Sequence, residues 1–86
     1  MSQIYKIEEV AKIFGVDGRV IAEFIRKEWI QPFEPTTQEL DAEDLARTKL
    51  ILELIEDLGV NEEGVPIILH LIDQLHGLHL EIKNLK

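Results

Sequence analysis

The sequence predicts a mostly α-helical fold. Two short helices flank a tight turn, an extended wing follows, and a connecting helix leads to a long terminal helix. Three observations predict it. Apolar residues recur at helical spacing in four segments. Gly15 and Gly59 fall where two of those segments end. Residues 29–40 break the helical period and contain Pro32 and Pro35. At 86 residues the chain has room for a compact unit over 1–60 and a terminal helix over 61–86.

In the first segment, Ile7, Val10, Ala11 and Phe14 sit at i, i+3, i+4 and i+7, so the first helix spans about 7–14. Asp17 is a natural N-cap for the second. Val20, Ile21, Phe24 and Ile25 give that helix its apolar face, running to about Glu28. Its outward face carries Arg19, Glu23, Arg26 and Lys27, and the pair reads as a helix-turn-helix. Gln31 and Glu34 each precede a proline, which disfavours helix, so 29–40 is expected as a short hairpin turning at Thr36-Thr37-Gln38. Trp29 is expected in the core beneath it.

Asp41 caps the connecting helix, with Asp44 three residues on. Leu45, Ile51, Leu52, Ile55 and Leu58 then run helically to Gly59. Asn61 caps the last helix, with Pro66 near its first turn. Ile68, Leu71, Leu75, Leu78, Ile82 and Leu85 are spaced 3, 4, 3, 4, 3, an a/d seam of about two and a half heptads. The preceding helices are too small to cover it all, so a homodimer paired along this seam is expected.

The formal charge is −8, from 9 Lys+Arg against 17 Asp+Glu. Residues 1–31 and 65–86 are each balanced, so the whole excess lies in 32–64, where ten acids face Arg47 and Lys49. Some of those acids complement helix N-termini. The block as a whole suits a basic partner. It does not favour nucleic acid or an anionic membrane.

Several chemistries fall away. With no cysteine, disulfide scaffolds, cysteine nucleophiles and thiolate metal sites are excluded. No run approaches the length of a membrane span, and Met1–Lys6 lacks a leader's apolar stretch, so a cytoplasmic location is expected. Gly15-Val16-Asp17-Gly18 lacks the lysine of a phosphate loop. His76 and His79 share a helix face, but His70 lies opposite His79, so the three cannot form one metal site. Neither catalysis nor a cofactor is expected.

The order helix-turn-helix, wing, connecting helix and coiled-coil helix resembles the MerR superfamily of regulators. Gly15–Arg19 through Trp29-Ile30-Gln31-Pro32 is similar to its helix-turn-helix signature, and Leu40–Leu45 to the entry of its connecting helix. Gly59-Val60-Asn61 with Gly64-Val65 resembles the turn into its dimerisation helix. The resemblance implies a MerR-like winged helix-turn-helix with a C-terminal coiled-coil dimerisation helix. This chain departs from typical DNA-binding members. Ala22 and Glu23 stand where those have an arginine and a tyrosine, and the wing Phe33–Glu39 is not Gly- and Arg-rich. No effector domain is expected beyond the coiled coil.

These departures, with Gly64–Asp73, resemble a smaller branch, the chaperone-modulator (CbpM) proteins. Membership would imply binding the J-domain of a DnaJ-like co-chaperone and blocking its action on a DnaK-type chaperone. The basic helix that J-domains carry would then meet Glu39, Glu43, Glu53, Glu56 and Asp57, with Phe33 as an apolar anchor. The alternative is a DNA-binding MerR-type regulator. Its dimer would read two half-sites with Arg19, Arg26 and Lys27.

Overall fold

The computed structural model describes residues 3–32, 34 and 36–85. Helix α1 spans Ile7–Phe14. The Glu9 carboxylate accepts the Lys6 N–H at 3.0 Å and closes its first turn. Gly15, at φ 67°, ends it, and the Val16 N–H reaches back to the Ala11 carbonyl at 2.9 Å. Helix α2 spans Gly18–Arg26, capped by the Asp17 carboxylate, which accepts the Arg19 N–H at 2.9 Å.

α2 stops two residues earlier than its apolar pattern suggests. Glu28 takes φ 63°, its N–H bonds the Ile25 carbonyl, and the Trp29 N–H bonds the Phe24 carbonyl at 3.0 Å. This is the Schellman closure, with glutamate in the left-handed position that glycine usually fills. The reversal turns Trp29 and Ile30 inward, and both are buried. The Phe24 and Trp29 rings lie 5.6 Å apart, tilted by 35°.

The expected hairpin contracts to two isolated bridges. Glu34 pairs with Glu39 around a turn, and Tyr5 pairs with Leu40. Tyr5 and Leu40 exchange both backbone hydrogen bonds, each 2.8 Å, so the wing's foot is pinned by the segment before α1. No strand occurs among the described residues. Pro32 and Pro35 have no N–H to offer a ladder, which limits pairing here.

Helix α3 spans Ala42–Leu52. Asp41 accepts the Asp44 N–H at 2.9 Å, and Asp44 accepts the Asp41 N–H at 3.1 Å, a reciprocal cap. The Thr48 hydroxyl donates to the Asp44 carbonyl at 2.7 Å, so this buried oxygen is satisfied. The helix does not continue to Leu58 as expected. A π turn, Glu53–Asp57, intervenes, and the Leu58 N–H reaches back five residues to Glu53. The wider turn brings Leu54 into the core and leaves Ile55 at its margin, with Leu58 at 71% exposure. Gly59, at φ 66°, reverses the chain.

Asn61 begins the last turn: its side-chain oxygen accepts the Gly64 N–H at 2.9 Å. Helix α4 then spans Gly64–Asn84. Val65 and Leu69 join Val10, Ile21, Ile30, Leu40 and Ile51 in one core. Arg47 locks the arrangement. Its guanidinium donates to the Trp29 carbonyl and, at 3.0 and 3.2 Å, to both carboxylate oxygens of Asp73. One side chain on α3 thus ties the end of α2 to the middle of α4. Past Ile72, all described α4 side chains are exposed, over about 18 Å of helix.

Candidate functional site

The three cations of the recognition-helix region are all engaged by carboxylates of the same chain. Arg19 grips Asp17 with Nε and Nη2, each 3.2 Å from a carboxylate oxygen. Arg26 holds Glu23 through two guanidinium nitrogens. Lys27 pairs with Glu62 and lies 4.0 Å from Glu23. Its ammonium also sits 5.0 Å from the centre of the Trp29 ring. The Arg19 side chain, with its hydrogen bond and charge, holds the Asp17 carboxyl below its ordinary range. Arg26 does the same for Glu23. The Arg19–Asp17 and Arg26–Glu23 pairs are largely exposed, and each contributes little stability. Their importance is in the field they present: α2 shows alternating signs rather than a basic stripe.

The acidic candidates fall into two groups. Glu39, at the foot of the wing, and Glu43, in the first turn of α3, lie at one end of the connecting helix. Glu53, Glu56 and Asp57 line the π turn at the other end, about 15 Å along the axis from Glu43. The last three are exposed, and among the described residues none forms an ion pair. Phe33, the proposed apolar anchor, lies outside the described residues. Asp44 behaves differently: burial, with Asp41 and Glu43 nearby, pushes its carboxyl above the ordinary range.

Beside the π turn is a feature that apolar spacing did not reveal. Phe24, Trp29, Ile55 and Val60 line a cavity of about 210 Å³, with Glu23, Glu62 and Lys27 at its edge. It exists because the π turn rotates Ile55 toward α2 instead of burying it. A break in helical period cannot be read from an apolar pattern that continues through it.

On α4, the expected seam divides. Ile68 packs against the chain's own core. Leu71, Leu75, Leu78, Ile82 and Leu85 are all more than half exposed, and Ile67 extends their stripe. At about 100° per residue this stripe lies about 140° around α4 from the buried Val65–Leu69 face, so the core leaves it open. The three histidines are exposed on the same helix. Among the described residues no group of His, Cys, Asp and Glu is placed to hold a metal ion, and no helix is long and apolar enough to cross a membrane.

A family model described as MerR HTH family regulatory protein matches residues 5–86. The chain belongs to the MerR helix-turn-helix family. That match runs from the Tyr5 bridge to the end of α4, so it takes in the wing, the connecting helix and the exposed stripe together. No curated protein and no solved structure matches the chain. Within the MerR frame, Arg19, Arg26 and Lys27 are paired with carboxylates, and among the described residues the acids of the π turn form no ion pair.

Proposed function

We propose that this MerR-family chain is a protein-binding modulator of the chaperone-modulator type. It binds the J-domain of a DnaJ-like co-chaperone and inhibits that domain's action on a DnaK-type chaperone. One observation carries the reading. Arg19, Arg26 and Lys27 are each turned to a carboxylate of their own chain, whereas Glu53, Glu56 and Asp57 face solvent and, among the described residues, meet no cation. The surface is therefore suited to a basic protein partner rather than to phosphates. The formal charge of −8 acts in the same direction at long range.

The working unit in this reading is a homodimer. The stripe Leu71, Leu75, Leu78, Ile82 and Leu85 is a contiguous apolar surface that a second copy would cover. A test uses purified J-domain and the DnaK-type chaperone. The chain should bind the J-domain saturably and suppress its stimulation of the chaperone's ATPase. Binding without any suppression would contradict the inhibitory role.

A second reading, a DNA-binding regulator, is favoured by the helix-turn-helix and by the regulatory description of the family. In that case phosphates would have to displace Asp17, Glu23 and Glu62 from the three cations. DNA retention at low salt, falling steeply as salt is added, would support it.

A further inference from the structure

We infer that the cavity between α2, the π turn and the α3–α4 turn is a socket for one apolar side chain of a basic partner helix. The inference rests on the protein-binding reading above and assigns its docking point. Its walls are the Phe24 and Trp29 rings, Ile55 and Val60, and its volume is about 210 Å³. That is room for one anchoring side chain, not for a small-molecule cofactor. Glu23 and Glu62 lie at its edge; Ile55 belongs to the π turn that also carries Glu53, Glu56 and Asp57, and Glu62 is followed in sequence by Glu63.

Charge decides the occupant. Glu62, at the cavity's edge, pairs among the described residues with Lys27 alone, and the Lys27 side chain is already largely withdrawn from solvent along the Trp29 ring. An apolar anchor seated below would leave the surrounding carboxylates facing its own helix. Cations on that helix, one turn to either side of the anchor, would meet Glu56 and Asp57 or Glu62 and Glu63. An acidic or neutral helix would face uncompensated repulsion or desolvation at the same rim. A basic amphipathic helix satisfies both the apolar floor and the acidic rim. The anchor supplies residence time, and the rim charges set the approach rate.

The socket holds its own reporter. Trp29 is the one tryptophan of the chain and forms part of the wall, so filling the cavity changes its emission. The experiment titrates the chain with purified J-domain, or with a synthetic Leu/Lys amphipathic helix, and follows Trp29 fluorescence using tryptophan-free ligands. Both probes should shift the emission. Ile55→Glu, on the margin of the core, should weaken both by about tenfold or more. Glu62→Lys, on an exposed turn, should slow association and reduce the salt dependence. Unaltered melting of Glu62→Lys guards against a folding artefact.

If the J-domain binds but neither variant changes its affinity or the Trp29 signal, the socket assignment falls and the modulator reading stands. If the J-domain fails to bind while the basic helix binds and both variants weaken it, the modulator reading falls and the socket stands. If a Leu/Glu helix binds as well as the Leu/Lys helix, the assignment to a basic partner is overturned.

Discussion

Replacing Leu75 by glutamate tests the dimer, because this residue sits mid-stripe and contributes nothing to the chain's own core. Leu71, Leu75, Leu78, Ile82 and Leu85 are 57, 67, 54, 53 and 86% exposed in the single chain. Covering what remains exposed contributes about 1–2 kcal/mol per side chain. Twofold pairing covers ten such side chains, roughly 10–20 kcal/mol in gross terms. Association itself costs about 4–15 kcal/mol. The mid-range difference, roughly 4–8 kcal/mol, corresponds to dissociation between millimolar and micromolar. In Leu75→Glu the twofold counts the loss twice, about 3 kcal/mol before any carboxylate desolvation. That shifts dissociation by more than about hundredfold. Sedimentation equilibrium over a concentration series reads it directly. The wild type should shift from monomer to dimer with concentration, and Leu75→Glu should remain monomeric with an unchanged melting temperature at low concentration. A variant that dimerises like the wild type would refute the stripe as the interface.

Further outcomes follow from individual contacts. Arg47→Ala removes the tie between the Trp29 carbonyl and Asp73 and should cost about 1–3 kcal/mol, whereas Asp73→Asn, at an exposed site, should cost under about 1 kcal/mol. Thermal melts should show the larger drop for Arg47→Ala. Asp44 holds its proton more tightly folded than unfolded, so its contribution is fully present at acid pH below the unfolded value. It is lost as pH rises through the raised folded value. Asp44→Asn should therefore gain stability relative to wild type between acid and neutral pH, read as the difference between their melting temperatures. Asp17 and Glu23 have the opposite sign: their contributions are present above the unfolded carboxylate value and fade as pH falls through the lowered folded one. The pair Asp17→Asn with Glu23→Gln frees Arg19 and Arg26 and should raise retention on a DNA column at low salt. Charge reversal of Glu53 and Glu56 together should weaken J-domain binding and flatten its salt dependence.

Much of this fold is written in local chemistry. α1 is legible from Ile7, Val10, Ala11 and Phe14 because its stop, Gly15, takes the left-handed conformation that glycine favours. The Asp41–Asp44 cap is legible because both partners lie within one turn. The end of α2 is not, because its left-handed residue is Glu28, which carries no such signal. The π turn is hidden for a related reason. Leu54 and Ile55 are equally apolar, and only tertiary packing selects which one points inward. The wing keeps its turn but shortens to the single Glu34–Glu39 bridge, because extended propensity alone does not supply further ladder partners. Its foot is held instead by Tyr5, which pairs with Leu40 from far away in sequence. For the site, charge bias singles out residues 32–64 as acidic, but the pairing of Arg19, Arg26 and Lys27 with nearby acids needed side-chain positions. The ion pair of Arg47 with Asp73 joins residues 26 positions apart and leaves no periodic trace.

The most direct test of J-domain binding is the affinity of the purified chain for an isolated J-domain, measured by calorimetry over a salt series. Binding should be saturable and should weaken as salt screens the acidic π turn. Folded chain that shows no heat of binding and leaves the J-domain free in a parallel sedimentation run at low salt would contradict it.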